Sequence, residues 1–258
     1  MTTRVTKIKP KDRIILPLDV SEIDKAISLV TTLRDHVGLF KIGLNLIYST
    51  LANLILLSNE EAIDYLAKVR ALASMIDGGR VFLDVKLCDI PNTVKGASKA
   101  ISNFGVRFFN VHASSGSNAV KEAVVNRGSS LVLGVTVLTS IDTVECHSIF
   151  GNSPNDQVLR FAHMLKRAGA HGVICSPQEI RVIRELPDFN DFTIVTPGVR
   201  PNWASVGDQK RIMTPAEAVK AGADYLVIGR PIIDPPPEIG GPVEAAKLIV
   251  NEIEEALG

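Results

Sequence analysis

The chain has 258 residues, 46% of them hydrophobic and 22% charged, enough apolar material for a large core, which excludes an intrinsically disordered protein. Lys plus Arg and Asp plus Glu each number 28, so the formal net charge is zero and exerts no overall pull toward nucleic acid or an anionic membrane. Cys88, Cys146 and Cys175 show no Cys-x-x-Cys spacing, which argues against a disulfide framework and a zinc knuckle and for a reducing, cytoplasmic setting. The first 13 residues lack an apolar signal region, and the densest apolar stretch, 51–57, falls well short of the roughly 20 residues a membrane span needs.

Along the chain, short β-branched apolar runs recur, each ending in a polar residue or glycine: IILPLD (14–19), LFKIG (39–43), VFLDVK (81–86), RFFNVH (107–112), LVLGVTVLT (131–139), GVICS (172–176), TIVTPG (193–198) and YLVIG (225–229). The segments between them have helical character. Ser21 and Asp24 resemble a capping box, and Ile23, Ala26, Ile27, Val30 and Leu33 follow the 3.6-residue period. Further helix starts fall near Thr93, Ser117, Pro154, Pro177, Thr214 and Pro242, at Ser/Thr caps or first-turn prolines. The longer connection at 44–80 predicts two helical pieces with a break at 58–61, and no chemistry is assigned to it. Eight strand–helix alternations in about 250 residues match a single-domain (β/α)₈ TIM barrel spanning 1–258, with 1–12 as an N-terminal extension. A doubly wound open sheet is the alternative.

In VFLDVKLCD (81–89), a period of two places Val81, Leu83, Val85 and Leu87 on one face and Phe82, Asp84, Lys86 and Cys88 on the other. The apolar face suits packing against outer helices, so Asp84 and Lys86 point into the barrel near the C-terminal strand end, where barrel enzymes carry out chemistry. Asp89 follows in the loop. The same alternation sets Lys41 inward, and Asp19 closes the first strand at the matching level, so four or five charges converge on one mouth. An internal ion pair that only fixes register is the competing explanation, but desolvation makes burying several charges a poor source of stability. Cys88 reads as a small core residue, and His112 as a satisfied strand-end histidine. No histidine spacing forms a metal set, so no metal is expected.

Late in the chain, Gly198 and Arg200 follow strand seven, and Gly229 and Arg230 follow strand eight, where barrels frequently hold phosphate. Glycine lets backbone N–H groups approach an oxyanion, and a guanidinium supplies a bidentate fork. Gln209, in the loop between, offers another donor. A turn glycine beside a surface arginine would give the same pattern, and the position on strand eight favours a phosphorylated ligand.

These residues carry a specific pattern. LDV at 18–20, FKIG at 40–43, DVKLCDIPNT at 84–93, TPGVRP at 196–201, DQKRIMTP at 208–215 and DYLVIGRPI at 224–232 make the whole chain resemble the orotidine 5'-monophosphate decarboxylase family. The resemblance implies conversion of orotidine 5'-monophosphate to uridine 5'-monophosphate, the last step of pyrimidine synthesis, without a cofactor, by a homodimer. It implies Lys86 as proton donor to C6 of the pyrimidine, Asp84 beside the departing carboxylate, and Asp89 and Thr93 reaching the neighbouring subunit's site. Asp19 and Lys41 would hold ribose hydroxyls, Thr139 or Ser140 and Pro197 would contact the pyrimidine, and Arg200, Gln209, Gly229 and Arg230 would hold the phosphate under a closing Gln209 loop. Two departures from the pattern are the long connection at 44–80 and Cys88, where histidine is more usual.

Three rivals share parts of the pattern. Mg²⁺-dependent sugar-phosphate relatives, such as hexulose-phosphate synthase and keto-gulonate-phosphate decarboxylase, share Asp-x-Lys-x-x-Asp, but a lysine at 41 would repel a divalent cation. A Schiff-base aldolase would need Lys86 as a neutral amine, against two flanking carboxylates. A non-catalytic nucleotide-binding barrel would keep Gly229 and Arg230 without needing inward acids and lysine.

Overall fold

A computed structural model describes residues 8–204 and 212–258. Eight parallel strands, β1 (Ile14–Pro17), β2 (Leu39–Gly43), β3 (Val81–Leu87), β4 (Phe108–His112), β5 (Leu131–Val135), β6 (Gly172–Ile174), β7 (Thr193–Thr196) and β8 (Tyr225–Val227), pair in sequence order and close with β1 against β8. This is the (β/α)₈ barrel, and the open sheet is excluded by closure. All eight apolar runs form strands, but several stop short of the polar tips, which belong to the loops at the mouth; β5 ends at Val135 rather than at Thr139.

Alternation along the strands builds two apolar layers. Ile15, Leu39, Phe82, Phe108, Leu133, Val195 and Tyr225 point inward and fill the lower barrel, where Phe108 packs edge-on against Phe82 and Tyr225 at centroid distances of 6.2 and 5.3 Å. Their outward neighbours, among them Ile14, Phe40, Val81, Phe109, Val132 and Leu226, pack beneath the helices. Approach between layers is close at Gly134, where an added Cβ would stand 2.2 Å from a methyl of Leu165. Because the lower barrel is packed solid, open space is confined to the C-terminal end of the strands.

The outer layer comprises α1 (Ile23–Leu33), α2 (Leu44–Leu56), α3 (Asn59–Met75), α4 (Pro91–Ser102), α5 (Ser117–Val125), α6 (Thr143–Phe150), α7 (Pro154–Arg167), α8 (Ile180–Arg184), α9 (Pro215–Ala221), α10 (Arg230–Ile233) and α11 (Pro242–Leu257). The connection at 44–80 does hold two helices, divided where Ser58 caps α3: its side chain accepts the Glu61 N–H and the Glu61 carboxylate accepts the Ser58 N–H. The capping box expected at Ser21 does not form. α1 starts one residue later, from Glu22 with no side-chain cap, and Asp24 pairs with Lys68 of α3 at 2.7 Å.

Two further expectations are corrected. Helix α6 was hidden behind the overlong β5 reading; its signals are Asp142, which caps the Glu145 N–H, and Gly151, left-handed at φ 74° after the last turn. Cys88 is exposed rather than in the core, because β3 ends at Leu87 and the chain leaves the barrel there. Where the N-terminal extension meets β1, Lys11–Arg13 form a single 3₁₀ turn, and the Arg13 guanidinium donates to the carbonyls of Ala223 and Asp224, each at 3.2 Å. Among the described residues no helix is long and apolar enough to cross a membrane.

The caps give a paired prediction. Ser58→Ala should lower stability by about 1 kcal/mol, the usual worth of an N-cap. Ser21→Ala, which removes no cap, should stay within about 0.5 kcal/mol of the parent in the same urea titration.

Candidate active site

A cavity of about 530 Å³ opens at the C-terminal ends of the strands, a size suited to a small-molecule ligand. Charged residues line one side of it. The Lys41 ammonium lies 2.8 Å from Asp19 Oδ1 and 3.1 Å from Asp84 Oδ2, and the Lys86 ammonium lies 2.7 Å from Asp84 Oδ1. From β1's end through β2 to β3 the order is acid, base, acid, base. Gly43 leaves room for the array: a Cβ there would sit 2.9 Å from Lys41 Nζ and 3.0 Å from Asp19 Oδ1.

Asp84 and Lys41 are buried, at 6% and 8% exposure, while Lys86 is half-buried and faces the open cavity. Burial alone would push the Asp84 carboxyl up. The charges of Lys41 and Lys86, with hydrogen bonds from Lys86 and Asn110, outweigh that and hold it below the ordinary carboxylate value. Half-buried His112 is shifted down by burial and by Lys86, which favours the neutral imidazole.

The local backbone of β3 is irregular at this point. Leu83 pairs with Phe109 but Leu87 pairs with Val111, so Asp84, Val85 and Lys86 lie opposite the single residue Asn110. Within this bulge Lys86 has φ 49°, the one non-glycine residue with positive φ among those described, at a cost of about 1–2 kcal/mol. The displaced Lys86 N–H donates to Asn110 Oδ1 at 2.7 Å, and Asn110 Nδ2 donates to Asp84 Oδ1 at 2.7 Å.

Pro197, Gly198, Arg200, Gly229 and Arg230, from the ends of β7 and β8, also line the cavity. Arg200 is buried; its backbone N–H donates to the Met213 carbonyl at 2.9 Å, beside the Val199–Met213 bridge that ties the two ends of the intervening loop. Gly229 passes so close to Pro17 that a Cβ would stand 2.9 Å from its ring, and exposed Arg230 opens α10. Val135, Val137, Leu138, Ile174 and Val227 supply an apolar lining to the same cavity. Thr139 lies on that lining and Ser140 does not.

Nine of the expected site residues, Asp19, Lys41, Asp84, Lys86, Thr139, Pro197, Arg200, Gly229 and Arg230, therefore surround one cavity. Asp89 and Thr93 do not join it. Both are exposed, and Asp89 Oδ1 accepts the Ile90 N–H at 2.7 Å, so four charges rather than five converge within one chain. Gln209 lies outside the described residues. The sequence reading missed Asn110 and Lys25, which also lines the cavity. Asn110 was detectable, since in RFFNVH the period of two puts a polar amide inward between Phe108 and His112.

The model of the Orotidine 5'-phosphate decarboxylase / HUMPS family matches residues 12–249. The chain belongs to this family. It is a carboxy-lyase, and similar curated proteins include the orotidine 5'-phosphate decarboxylases of Heliobacterium modesticaldum, 44% identical over 97% of this chain and 99% of that one, and of Moorella thermoacetica, 43% identical over 96% and 94%. Among solved structures, orotidine 5'-phosphate decarboxylase from Lactobacillus acidophilus superposes with a TM-score of 0.72 at 31% identity, covering 93% of this chain and 98% of that one.

The array also makes a pH prediction. Asp84 is held below its ordinary value of 3.8, so its stabilising contribution is complete above that value and is lost as pH falls toward the folded-state value. The stability difference between the parent and Asp84→Asn should be constant from about pH 5 to 8 and should change only below about pH 4, in the direction of weakening the parent. A difference that shifts in the parent's favour on acidification would contradict the assigned charge state.

Proposed function

We propose that the cavity binds orotidine 5'-monophosphate and releases CO₂ and uridine 5'-monophosphate, with Lys86 delivering the proton to C6. The observation that carries this reading is the Lys86 ammonium, held 2.7 Å from buried Asp84 and facing the cavity. Cleavage of the bond between C6 and the carboxylate leaves an electron pair in the plane of the pyrimidine ring, where the π system cannot accept it. With no electron sink, the protein must stabilise that pair electrostatically and protonate it, and a preorganised ammonium does both. The proton leaves Nζ for C6, and the lysine recovers one from solvent.

The other residues take roles by position. Asp84 would stand beside the substrate carboxylate, Asp19 and Lys41 would hold ribose hydroxyls, and Thr139 and Pro197 would border the pyrimidine. Arg200, Gly229 and Arg230 would bind the phosphate, together with Gln209, which lies outside the described residues. Membership of a family whose description joins two groups leaves the Mg²⁺-dependent sugar-phosphate chemistry as the rival. It fits this site poorly: the two carboxylates that would hold a divalent ion, Asp19 and Asp84, flank the Lys41 ammonium instead. Among the described residues no group of three or more His, Cys, Asp or Glu side chains is placed to hold a metal.

The reading includes a homodimer in the cytoplasm. Asp89 and Thr93 lie off their own cavity on an exposed rim next to Ile90, which is 67% exposed, and a second copy would bring them to the site they complete. On α2, which follows the neighbouring strand, Leu44, Tyr48, Leu51 and Ile55 recur at helical spacing and are exposed, an apolar stripe that a partner subunit would cover.

Two measurements check the reading. Purified protein mixed with orotidine 5'-monophosphate and EDTA should show the absorbance change of decarboxylation, whereas Lys86→Ala should lose turnover and still bind uridine 5'-monophosphate; a parent protein silent in EDTA would overturn the proposal. If Asp89 acts across the interface, Lys86→Ala and Asp89→Ala should each be inactive alone. Co-refolded, they should recover roughly a quarter of parental activity, because mixed dimers contain one intact site.

A further inference from the structure

We propose that Asn110 is a positioning residue that sets the Lys86 ammonium on its reaction path by bracing both the backbone and the counter-ion of that lysine. This rests on the reading of Lys86 as proton donor. Asn110 is fully buried on β4, and its amide bonds in two directions. Oδ1 accepts the Lys86 N–H at 2.7 Å, a donor that the bulge has removed from the strand ladder. Nδ2 donates at 2.7 Å to Asp84 Oδ1, the same oxygen that accepts the Lys86 ammonium. One planar side chain therefore fixes where Lys86 leaves the main chain and where its charged tip rests.

The need for such a brace follows from the backbone. At φ 49° Lys86 occupies a region that a lysine seldom adopts, and it persists only where the surroundings over-determine it. A regular strand would carry Lys86 two residues further along the ladder, away from the level of Lys41 and Asp19. An apolar residue at 110 would fill the space but leave the Lys86 N–H without its acceptor and Asp84 without one of its donors, so the ammonium would lose its fixed point without the cavity losing its phosphate wall.

The test compares Asn110→Ala and Asn110→Asp with the parent, scoring turnover per folded protein. Asn110→Ala should lower kcat about 100-fold, the order expected when a reacting group is misplaced by an ångström, with the dissociation constant for uridine 5'-monophosphate changed less than about threefold. Asn110→Asp keeps the acceptor for Lys86 but sets a second carboxyl beside Asp84. Like-charge repulsion there raises the protonation midpoint of the pair, and once protonated the new carboxyl regains a donor. The other titratable groups facing this spot are Lys86, Lys41 and His112, all present in the parent, so the ratio to parent isolates position 110. That ratio should rise about tenfold or more from pH 8 to pH 5.5 for Asn110→Asp and stay flat for Asn110→Ala. A purely structural role would leave kcat per folded protein within about threefold of the parent and both ratios flat, which overturns the inference. A parent protein that fails to decarboxylate would instead sink the functional reading, so the two failures are distinguishable.

Discussion

The site depends on one carboxylate. Asp84 accepts from Lys86 and Asn110 on one oxygen and stands against Lys41 on the other, and it is buried. A lone carboxylate there would take up a proton rather than bear the desolvation cost. Three donors reverse that preference, and the charge they preserve is what holds the two lysines apart and in line. Each partner comes from a different strand or strand face, so the array exists only when β2, β3 and β4 are in register.

The barrel supplies that register and separates two tasks. Below, the aromatic and aliphatic layer of Phe82, Phe108 and Tyr225 is solid and contributes stability. Above, the same inward positions one step along carry charge instead of hydrocarbon. The cavity holds both the Asp19–Lys41–Asp84–Lys86 array and Arg200 and Arg230, so a ligand that carries a phosphate at one end and a reacting carboxylate at the other can be gripped away from the bond that breaks. Under the proposed reaction, that grip would act through the transition state rather than only tightening the ground state.

Much of this was legible in the residues alone. Strict alternation in VFLDVKLCD and LFKIG placed Asp84, Lys86 and Lys41 inward, because a period of two leaves a strand residue only two directions to face. What stayed hidden has physical causes. The bulge in β3 depends on the pairing of two strands, which no single run displays. Strand ends were overextended in β5 because Thr136 and Val137 have strand-like side chains even where the chain has turned into a loop, and α6 was lost in consequence. The Ser21 cap failed because the helix begins one residue later, from Glu22, which takes Asp24 out of capping-box register; Asp24 pairs instead with Lys68, forty-four residues away. Cys88 was assigned to the core by carrying alternation one residue past the end of its strand.

The order of charges suggests why two lysines stand where one appears sufficient. Under the proposed reaction, Lys86 would become a neutral amine on giving its proton to the ring, and Asp84 would lose its nearest cation as negative charge is resolved beside it. Were Lys86 its only partner, the buried carboxylate would then compete for a proton. Lys41 at 3.1 Å and the Asn110 amide at 2.7 Å would remain as partners through that step, keeping Asp84 anionic and in the position to which a reprotonated Lys86 would return. Asp19, on the far side of Lys41, fixes that second lysine in turn. Under the proposed reaction, the alternating array would thus let one member change charge while the other three hold the geometry, which a single ion pair in the same cavity would not do.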